Sequence, residues 1–250
     1  MPWGWSRRVR TERALVALAW AVVLGGALGG CGVSGAASPT PGEPSGTGTA
    51  PGLRYVALGD SYTIGTSVDA SARFPDQLVV ALGPAQPTVR LVANLGVNGY
   101  TSADLIREEL PALDGLEPEF TTVLIGVNDV VQGVPVETYE ANVVAILDAL
   151  LARLPSDRIV TIAIPDYTVT PAGSDYGDPR QQRVGIVASN SVMERLSGER
   201  GIVFVDIFDI SLRAADDRSL VAGDGLHPSG AQYALWVERI RPVAEGLLGR

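Results

Sequence analysis

The sequence contains no lysine, one histidine and one cysteine, and these scarcities exclude several kinds of catalytic site. Without lysine there is neither a Ser–Lys dyad nor an amine for Schiff-base chemistry. The cysteine, Cys31, lies in a segment typical of targeting signals, which argues against a cysteine nucleophile. One histidine and that cysteine cannot make a zinc site, so we expect no metal and no cofactor. If the protein uses a histidine base, the base is His227.

Positive charge is also scarce, and most of the excess of negative charge lies outside the N-terminal segment. The formal net charge is −9, and residues 1–30 carry four arginines and one glutamate, which leaves −12 on the remainder. Because nucleic acids are bound through basic surfaces, this balance predicts no nucleic-acid partner. The length of 250 residues and the hydrophobic fraction of 46% fit one α/β domain with appendages.

Residues 1–30 have the layout of a secretory signal, with an arginine-rich start, an apolar run and small residues before Cys31. Residues 28–31 (LGGC) resemble the lipobox of bacterial lipoproteins, in which the cysteine is acylated and becomes the new N-terminus. An uncleaved membrane anchor is the alternative, but its apolar stretch is short for the ~20 residues of a spanning helix. We predict a protein exported across the cell membrane and lipid-anchored to its extracytoplasmic face through Cys31, by Sec or twin-arginine export.

Residues 31–52 comprise the lipidated cysteine and a predicted flexible linker. Of the 21 residues after Cys31, 16 are Gly, Pro, Ser or Thr and none is aromatic. Such a segment buries too little apolar surface to offset the entropy lost on ordering. The folded domain is therefore predicted to span residues 53–250.

Short apolar runs alternate with helical patterns from Leu53 onward, which predicts an α/β fold with a parallel sheet covered on both faces. The predicted strands are Leu53–Leu58, Thr88–Asn94, Thr121–Ile125, Arg158–Ile164 and Ile202–Ile207. The predicted helices are Phe74–Leu82, Ser102–Leu110, Val136–Leu154, Arg180–Ser197 and Ala231–Leu248. Polar segments follow the strands on their carboxyl side, at the edge of the sheet that binds ligands in open α/β folds.

Four of these segments carry motifs, which are GDSY at residues 59–62, NLGVNG at 94–99, GVND at 126–129 and DGLHP at 224–228. In order and spacing they resemble the blocks of the GDSL/SGNH hydrolases, over about residues 53–248. The resemblance implies a flavodoxin-like three-layer sandwich with a five-stranded parallel sheet. It also implies the activity of an esterase, lipase, thioesterase or carbohydrate deacetylase.

The resemblance also implies a role for each motif residue. Ser61 is the expected nucleophile, His227 its general base and acid, and Asp224 the carboxylate that orients the imidazole. The expected oxyanion hole combines the backbone N–H groups of Ser61 and Gly99 with the side-chain amide of Asn128. Asp60 and Asp129 are interpreted as structural residues.

Other interpretations of the same residues remain open. Ser61 alone would serve as a helix cap, Asp224 and Asn128 as turn residues, and Gly96 could replace Gly99 in the oxyanion hole. A non-catalytic module that binds glycans or envelope polymers on the same fold is the alternative function. Within the enzyme class, the small-molecule, glycan or lipid ester that serves as substrate is open, as is the oligomeric state. Loop 165–178 is expected to shape the choice of substrate.

Overall fold

The computed structural model describes residues 52–84 and 87–249, in which five parallel strands form one sheet. In chain order they are β1 (Leu53–Gly59), β2 (Val89–Asn94), β3 (Phe120–Leu124), β4 (Ile159–Ile162) and β5 (Val203–Val205). The spatial order is β2-β1-β3-β4-β5, which is the flavodoxin-like order, so the predicted five-stranded parallel sheet is confirmed. The predicted signal segment 1–30, Cys31 and linker residues 32–51 lie outside the described residues.

Helices connect the strands and cover the sheet. In the described residues they are α1 (Ser61–Ile64), α2 (Phe74–Leu82), α3 (Ser102–Asp104), α4 (Leu110–Leu116), α5 (Val127–Val131), α6 (Val136–Leu151), α7 (Pro179–Glu199), α8 (Phe208–Leu212) and α9 (Gly230–Leu247). A π-helical turn, Leu105–Glu109, joins α3 to α4. None of the helices described is long and apolar enough to cross a membrane.

The core has two halves, one on each face of the sheet, because successive side chains of a strand point to opposite faces. Tyr55 and Ala57 of β1 pack in the half that α2 and α9 cover. Val56 and Leu58 pack in the half that α4 and α6 cover. This arrangement is the predicted three-layer sandwich, and it buries β1 on both faces.

The sequence predicted the long elements well and the short ones poorly. The predicted strands and long helices begin and end within three residues of the observed ones, and the predicted helix Phe74–Leu82 matches α2 at both ends. The helix predicted at Ser102–Leu110 is wrong in detail, since the chain forms α3, a π turn and α4, and continues to Leu116. Pro111 lacks an N–H and its ring crowds the carbonyl four residues earlier, so the helix widens just before it.

Candidate active site

A cavity of about 210 Å³ opens at the carboxyl ends of the central strands β1 and β3. In this strand order, the connection after β1 leads toward one edge of the sheet and the connection after β3 leads toward the other. A crevice lies between the two loops where they diverge. The residues that line the cavity are Ser61, Tyr62, Asn98, Gly99, Val127, Asn128, Val131, Tyr167, Tyr176, Leu226 and His227. Four of the five predicted catalytic and oxyanion-hole residues therefore line one cavity, and the fifth, Asp224, is hydrogen-bonded to His227.

Ser61 is the first residue of α1, which begins almost directly after β1. The turn between them is tight, since a Cβ on Gly59 would come within 2.1 Å of the Leu124 carbonyl oxygen. Asp60 caps α1, and its Oδ1 accepts a hydrogen bond of 3.0 Å from the backbone N–H of Tyr62. The side chain of Ser61 is thereby held at the cavity wall, with 7% of the residue exposed.

Ser61, His227 and Asp224 form a continuous hydrogen-bonded chain. The distance from Ser61 Oγ to His227 Nε2 is 2.9 Å, and that from His227 Nδ1 to Asp224 Oδ2 is 2.6 Å. A carboxylate only accepts hydrogen bonds, so the proton of a neutral imidazole lies on Nδ1. The lone pair of Nε2 is then free to accept the Ser61 proton.

The Asp224 carboxylate is fixed by its own turn and by one distant hydroxyl. Oδ1 accepts from the backbone N–H groups of Leu226 at 2.9 Å and His227 at 3.0 Å, and Oδ2 also accepts from Ser67 Oγ at 2.6 Å. Partial burial acts to raise the pKa of Asp224, but the hydrogen bonds from Ser67, Leu226 and His227 outweigh it. They hold that pKa well below its usual range. The lowered pKa favours the ionised form of this carboxylate.

The loop that carries Asp224 and His227 is closed on itself and packed against two other segments. Its backbone closes with a hydrogen bond of 2.7 Å from Ala222 N to the His227 carbonyl, and Ala172 N donates to the Gly225 carbonyl at 2.9 Å. The Tyr62 ring meets the imidazole edge to face, with centroids 5.7 Å apart. These contacts limit the imidazole to the orientation that reaches Ser61.

The cavity also offers candidate hydrogen-bond donors for an oxyanion. Gly99 has a left-handed φ of +83°, and no atom lies within 4 Å of a Cβ built on it. Asn128 Nδ2 donates to the Tyr100 carbonyl at 2.9 Å, which fixes the amide plane while the residue lines the cavity. Ser61 stands at the first helical position, whose N–H has no partner within the helix.

Gly96, the alternative oxyanion residue, is placed differently. A Cβ on Gly96 would lie 2.7 Å from the Asp60 carbonyl oxygen and 2.7 Å from Ile64 N, so this glycine is packed against the start of α1. It is not among the cavity-lining residues, whereas Gly99 is. The geometry therefore favours Gly99 over Gly96 for the proposed role.

The family model for GDSL-like lipases/acylhydrolases matches residues 57–235, which include all the motif residues of the cavity. The chain belongs to this family. It is accordingly a carboxylic ester hydrolase of the GDSL-like lipase/acylhydrolase family. No curated protein matches the chain at a significant level.

Solved structures resemble this GDSL-family chain in fold at low sequence identity. The psychrotrophic esterase EstA from Pseudoalteromonas sp. is 18% identical with a TM-score of 0.60, over 79% of this chain and 100% of that one. The acetylxylan esterase Axe2 from Geobacillus stearothermophilus is 19% identical with a TM-score of 0.60, over 80% and 95%. LAE5, an alpha/beta hydrolase from the metagenome of Lake Arreo, Spain, is 22% identical with a TM-score of 0.59, over 80% and 96%.

Two buried carboxyl groups, those of Glu109 and Asp60, lie at the turn that leads to Ser61 in this family member. Glu109 Oε2 accepts from Gly59 N at 2.9 Å, and burial raises the pKa of Glu109 to about 9, opposed by that bond and assisted by the charge of Asp60. Burial likewise raises the pKa of Asp60 to about 8, despite the bond from Tyr62 N. One oxygen of each carboxyl has no hydrogen-bond partner among the described residues. Burial therefore favours the neutral, protonated form of both groups.

The outer wall of the cavity comes from the loop after β4. Tyr167 and Tyr176 meet edge to face with centroids 6.0 Å apart, and Tyr167 Oη donates to Gln182 Oε1 of α7 at 2.9 Å. Loop 165–178 thus contributes two rings to the cavity, and its effect on the choice of substrate stays a prediction. The other apolar lining residues, Tyr62, Val127, Val131 and Leu226, were not predicted from sequence.

Asp129, which the sequence suggested is structural, accepts hydrogen bonds from Ser102 N at 2.8 Å and Ser102 Oγ at 2.5 Å. It thereby ties α5 to the start of α3. Among the described residues there is no group of three or more His, Cys, Asp or Glu side chains suited to a metal ion. Activity without a metal or cofactor stays a prediction.

Proposed function

We propose that this GDSL-family protein is a serine esterase that hydrolyses short- or medium-chain acyl esters, acetyl esters included, through an acyl-enzyme formed on Ser61. The observation that carries the proposal is the chain of hydrogen bonds from Ser61 Oγ through His227 to Asp224, at 2.9 and 2.6 Å. A serine hydroxyl becomes a competent nucleophile only when an adjacent base removes its proton, and His227 is placed to do so.

In the first half of the reaction, Ser61 Oγ attacks the carbonyl carbon of the ester while its proton passes to His227 Nε2. Asp224, which stays ionised, stabilises the resulting imidazolium through Nδ1. The negative charge on the carbonyl oxygen is met by N–H groups of Ser61, Gly99 and Asn128. The tetrahedral intermediate then expels the alcohol, which takes its proton from Nε2.

In the second half, a water molecule attacks the acyl carbon and gives its proton to the same Nε2. The second tetrahedral intermediate uses the same oxyanion donors. Its collapse releases the carboxylic acid and returns the proton to Ser61. The proton balance of the cycle needs no group other than His227, and the reaction consumes one water.

The preference for short or medium acyl groups is supported by the cavity. Its volume of about 210 Å³ lies below the ~300–1,000 Å³ typical of ligand pockets. Its walls include the apolar side chains of Val127, Val131 and Leu226 and the rings of Tyr167 and Tyr176. Such walls accept a small acyl chain and leave the alcohol at the open mouth. The acetylxylan esterase among the similar structures makes O-acetyl sugars one candidate substrate class.

We also propose that the enzyme is exported and held at the outer face of the cytoplasmic membrane by lipid on Cys31. The support comes from the sequence, with its arginine-rich start, apolar run, LGGC sequence and linker. A flexible linker of this length spans roughly 25 Å, enough to place the cavity near the membrane without embedding the domain. The substrates of the enzyme would then be small esters, or ester-bearing glycans or lipids of the envelope.

The test is a panel of esters with acyl chains from acetyl to octanoyl, measured with wild type, Ser61→Ala and Ser191→Ala. Ser191 is an exposed serine of α7 whose hydroxyl bonds only within its helix, which makes it a matched control. We expect Ser61→Ala to lose nearly all turnover with its fold intact, and Ser191→Ala to lose none. Near-wild-type turnover in purified Ser61→Ala would reject the mechanism. A wild type that binds glycans but hydrolyses none of their esters would favour the binding-module alternative.

A further inference from the structure

Two adjacent hydroxyl side chains, Thr66 and Ser67, connect separate parts of the active site. Thr66 Oγ1 donates to Asn98 Oδ1 at 2.5 Å, and Ser67 Oγ donates to Asp224 Oδ2 at 2.6 Å. Asn98 directly precedes Gly99 of the proposed oxyanion hole. One dipeptide therefore contacts the oxyanion loop with its first residue and the catalytic carboxylate with its second.

The backbone of this dipeptide is tied to the nucleophile. The backbone N–H groups of Gly65 and Thr66 both donate to the Ser61 carbonyl, at 3.0 and 3.1 Å. The dipeptide, which we call the Thr66–Ser67 clamp, is thus attached to the residue that carries the nucleophile. It contacts three of the four segments that the chemistry needs.

Ser67 adopts a backbone conformation that a serine rarely adopts without compensation. Its φ is +66°, and the other described non-glycine residue with positive φ, Glu117, closes the end of α4. Left-handed backbone at a non-glycine residue costs free energy and persists where surrounding contacts hold it. At Ser67 the conformation directs the hydroxyl to Asp224, so the strain coincides with a contact to the catalytic machinery.

We propose that the Thr66–Ser67 clamp is a positioning device, which fixes Asp224 and the oxyanion loop relative to Ser61. This inference rests on the proposed function of the site. Asp224 Oδ2 accepts from both Ser67 and His227, so the Ser67 hydroxyl resists rotation of the carboxylate away from the imidazole. Thr66 holds Asn98 and thereby the position of the Gly99 N–H.

Kinetics separate this role from a structural one. Ser67→Gly removes the hydroxyl but suits the left-handed backbone, whereas Ser67→Ala removes the hydroxyl and keeps the strain. We expect both variants to lower kcat about 10-fold, because a hydrogen bond to a charged group is worth at least that factor. Neither clamp residue lines the cavity, so KM should stay unchanged. Ser67→Gly should unfold at a temperature no lower than that of wild type.

Thr66 is tested in the same way. Thr66→Val keeps the shape and removes the hydroxyl, so we expect kcat to fall about 5- to 10-fold at constant KM, from the loss of one hydrogen bond. Thr66→Ser keeps the hydroxyl and should restore most of that loss. Ser191→Ala is again the control. If Ser67→Gly or Thr66→Val keeps the wild-type kcat, the corresponding contact of the clamp has no positioning role and the proposal fails for it.

A spectroscopic measurement tests the Asp224 contact without catalysis. The chain has one histidine, so its imidazole gives a single, unambiguous set of NMR signals in the untagged full chain. Ser67→Gly should move the His227 Nδ1 resonance and speed exchange of its proton, while Ser191→Ala should change neither. An unchanged signal in Ser67→Gly overturns the positioning of Asp224. If wild type turned over no ester, the proposed function would fail, and this signal would still decide whether Ser67 positions Asp224.

Discussion

The proposed oxyanion role of Asn128 can be distinguished by kinetics from a role in substrate binding. Its amide is fixed by the bond to the Tyr100 carbonyl and faces the cavity. We expect Asn128→Ala to lower kcat by about 10²–10³, since one oxyanion donor is worth ~2.7–4 kcal/mol, with little change in KM. Steady-state kinetics on the preferred short-chain ester measure both constants.

Asn128→Asp is the matched variant, because it keeps the size of the side chain and replaces the donor with an acceptor. It should be at least as damaging as Asn128→Ala, since a carboxylate repels the developing oxyanion. A higher KM at constant kcat in either variant would instead make Asn128 a residue that binds the ground state.

Tyr176 is expected to limit the length of the acyl chain. It lines the cavity, is 43% exposed and packs edge to face on Tyr167. Tyr176→Ala should open this wall and raise the octanoyl-to-acetyl ratio of kcat/KM about 10-fold, as about 1–3 kcal/mol of discrimination is typical per methylene in an apolar pocket. Val184→Ala, on an exposed part of α7 away from the cavity, is the control. An unchanged ratio in Tyr176→Ala would place the acyl group elsewhere.

The motifs predicted the candidate catalytic residues but not the residues that contact and support them. Ser61, Gly99, Asn128 and His227 were found in sequence because each motif is local, and the cavity brings them together. Ser67 contacts Asp224 across 157 positions of sequence, and no pattern of residues links the two. Only the fold reveals such a contact.

Among the secondary-structure elements, the long helices could be predicted from the sequence and the short ones could not. α6, α7 and α9 extend over several turns, so their apolar stripes predicted them within three residues. α1 and α5, which place Ser61 and Asn128, have four and five residues, too few for a period to appear. The π turn escaped prediction because it differs from an α-helix by one residue per turn.

The π turn gives the fold a dependence on pH. It places Glu109 against Gly59 N, beside Asp60, and burial raises the pKa values of the two carboxyls to about 9 and about 8. In the unfolded chain both titrate near pH ~4. Between these values the folded state binds protons that the unfolded state releases. The stability that the two protonated carboxyls contribute is therefore complete below pH ~4 and is lost as the pH rises through 8 and 9.

We therefore expect the free energy of unfolding to fall as pH rises from 5 to 8, and the contribution of each carboxyl to level off above its pKa in the folded state. Urea unfolding at constant ionic strength measures this free energy at each pH. Glu109→Gln stays neutral, so its unfolding free energy should fall less steeply with pH. The matched control is Glu108→Gln, a change at the neighbouring, exposed position, which should leave the slope as in wild type. Equal slopes in wild type and Glu109→Gln would show that Glu109 is ionised in the folded protein.

At the scale of the whole molecule, we expect the catalytic domain to fold and work without the proposed anchor. The catalytic residues and both halves of the core lie between residues 53 and 249 of the described chain. A chain that begins at Leu53 should therefore be soluble and keep the wild-type kcat and KM. Loss of activity in a folded chain of that length would show that the N-terminal segment contributes to catalysis.

Attachment to the membrane should depend on the Cys31 thiol. Each buried acyl methylene contributes about 0.8 kcal/mol, so two or more chains hold a protein firmly where one does not. We expect wild type in the membrane fraction, with mass spectrometry showing an acylated N-terminal Cys31 and residues 1–30 removed. Cys31→Ser should lack the lipid, and Ser34→Ala, three residues away in the linker, should fractionate as wild type does. An unmodified Cys31 in a membrane-bound wild type that still carries residues 1–30 would instead make the apolar run from Ala14 a transmembrane anchor.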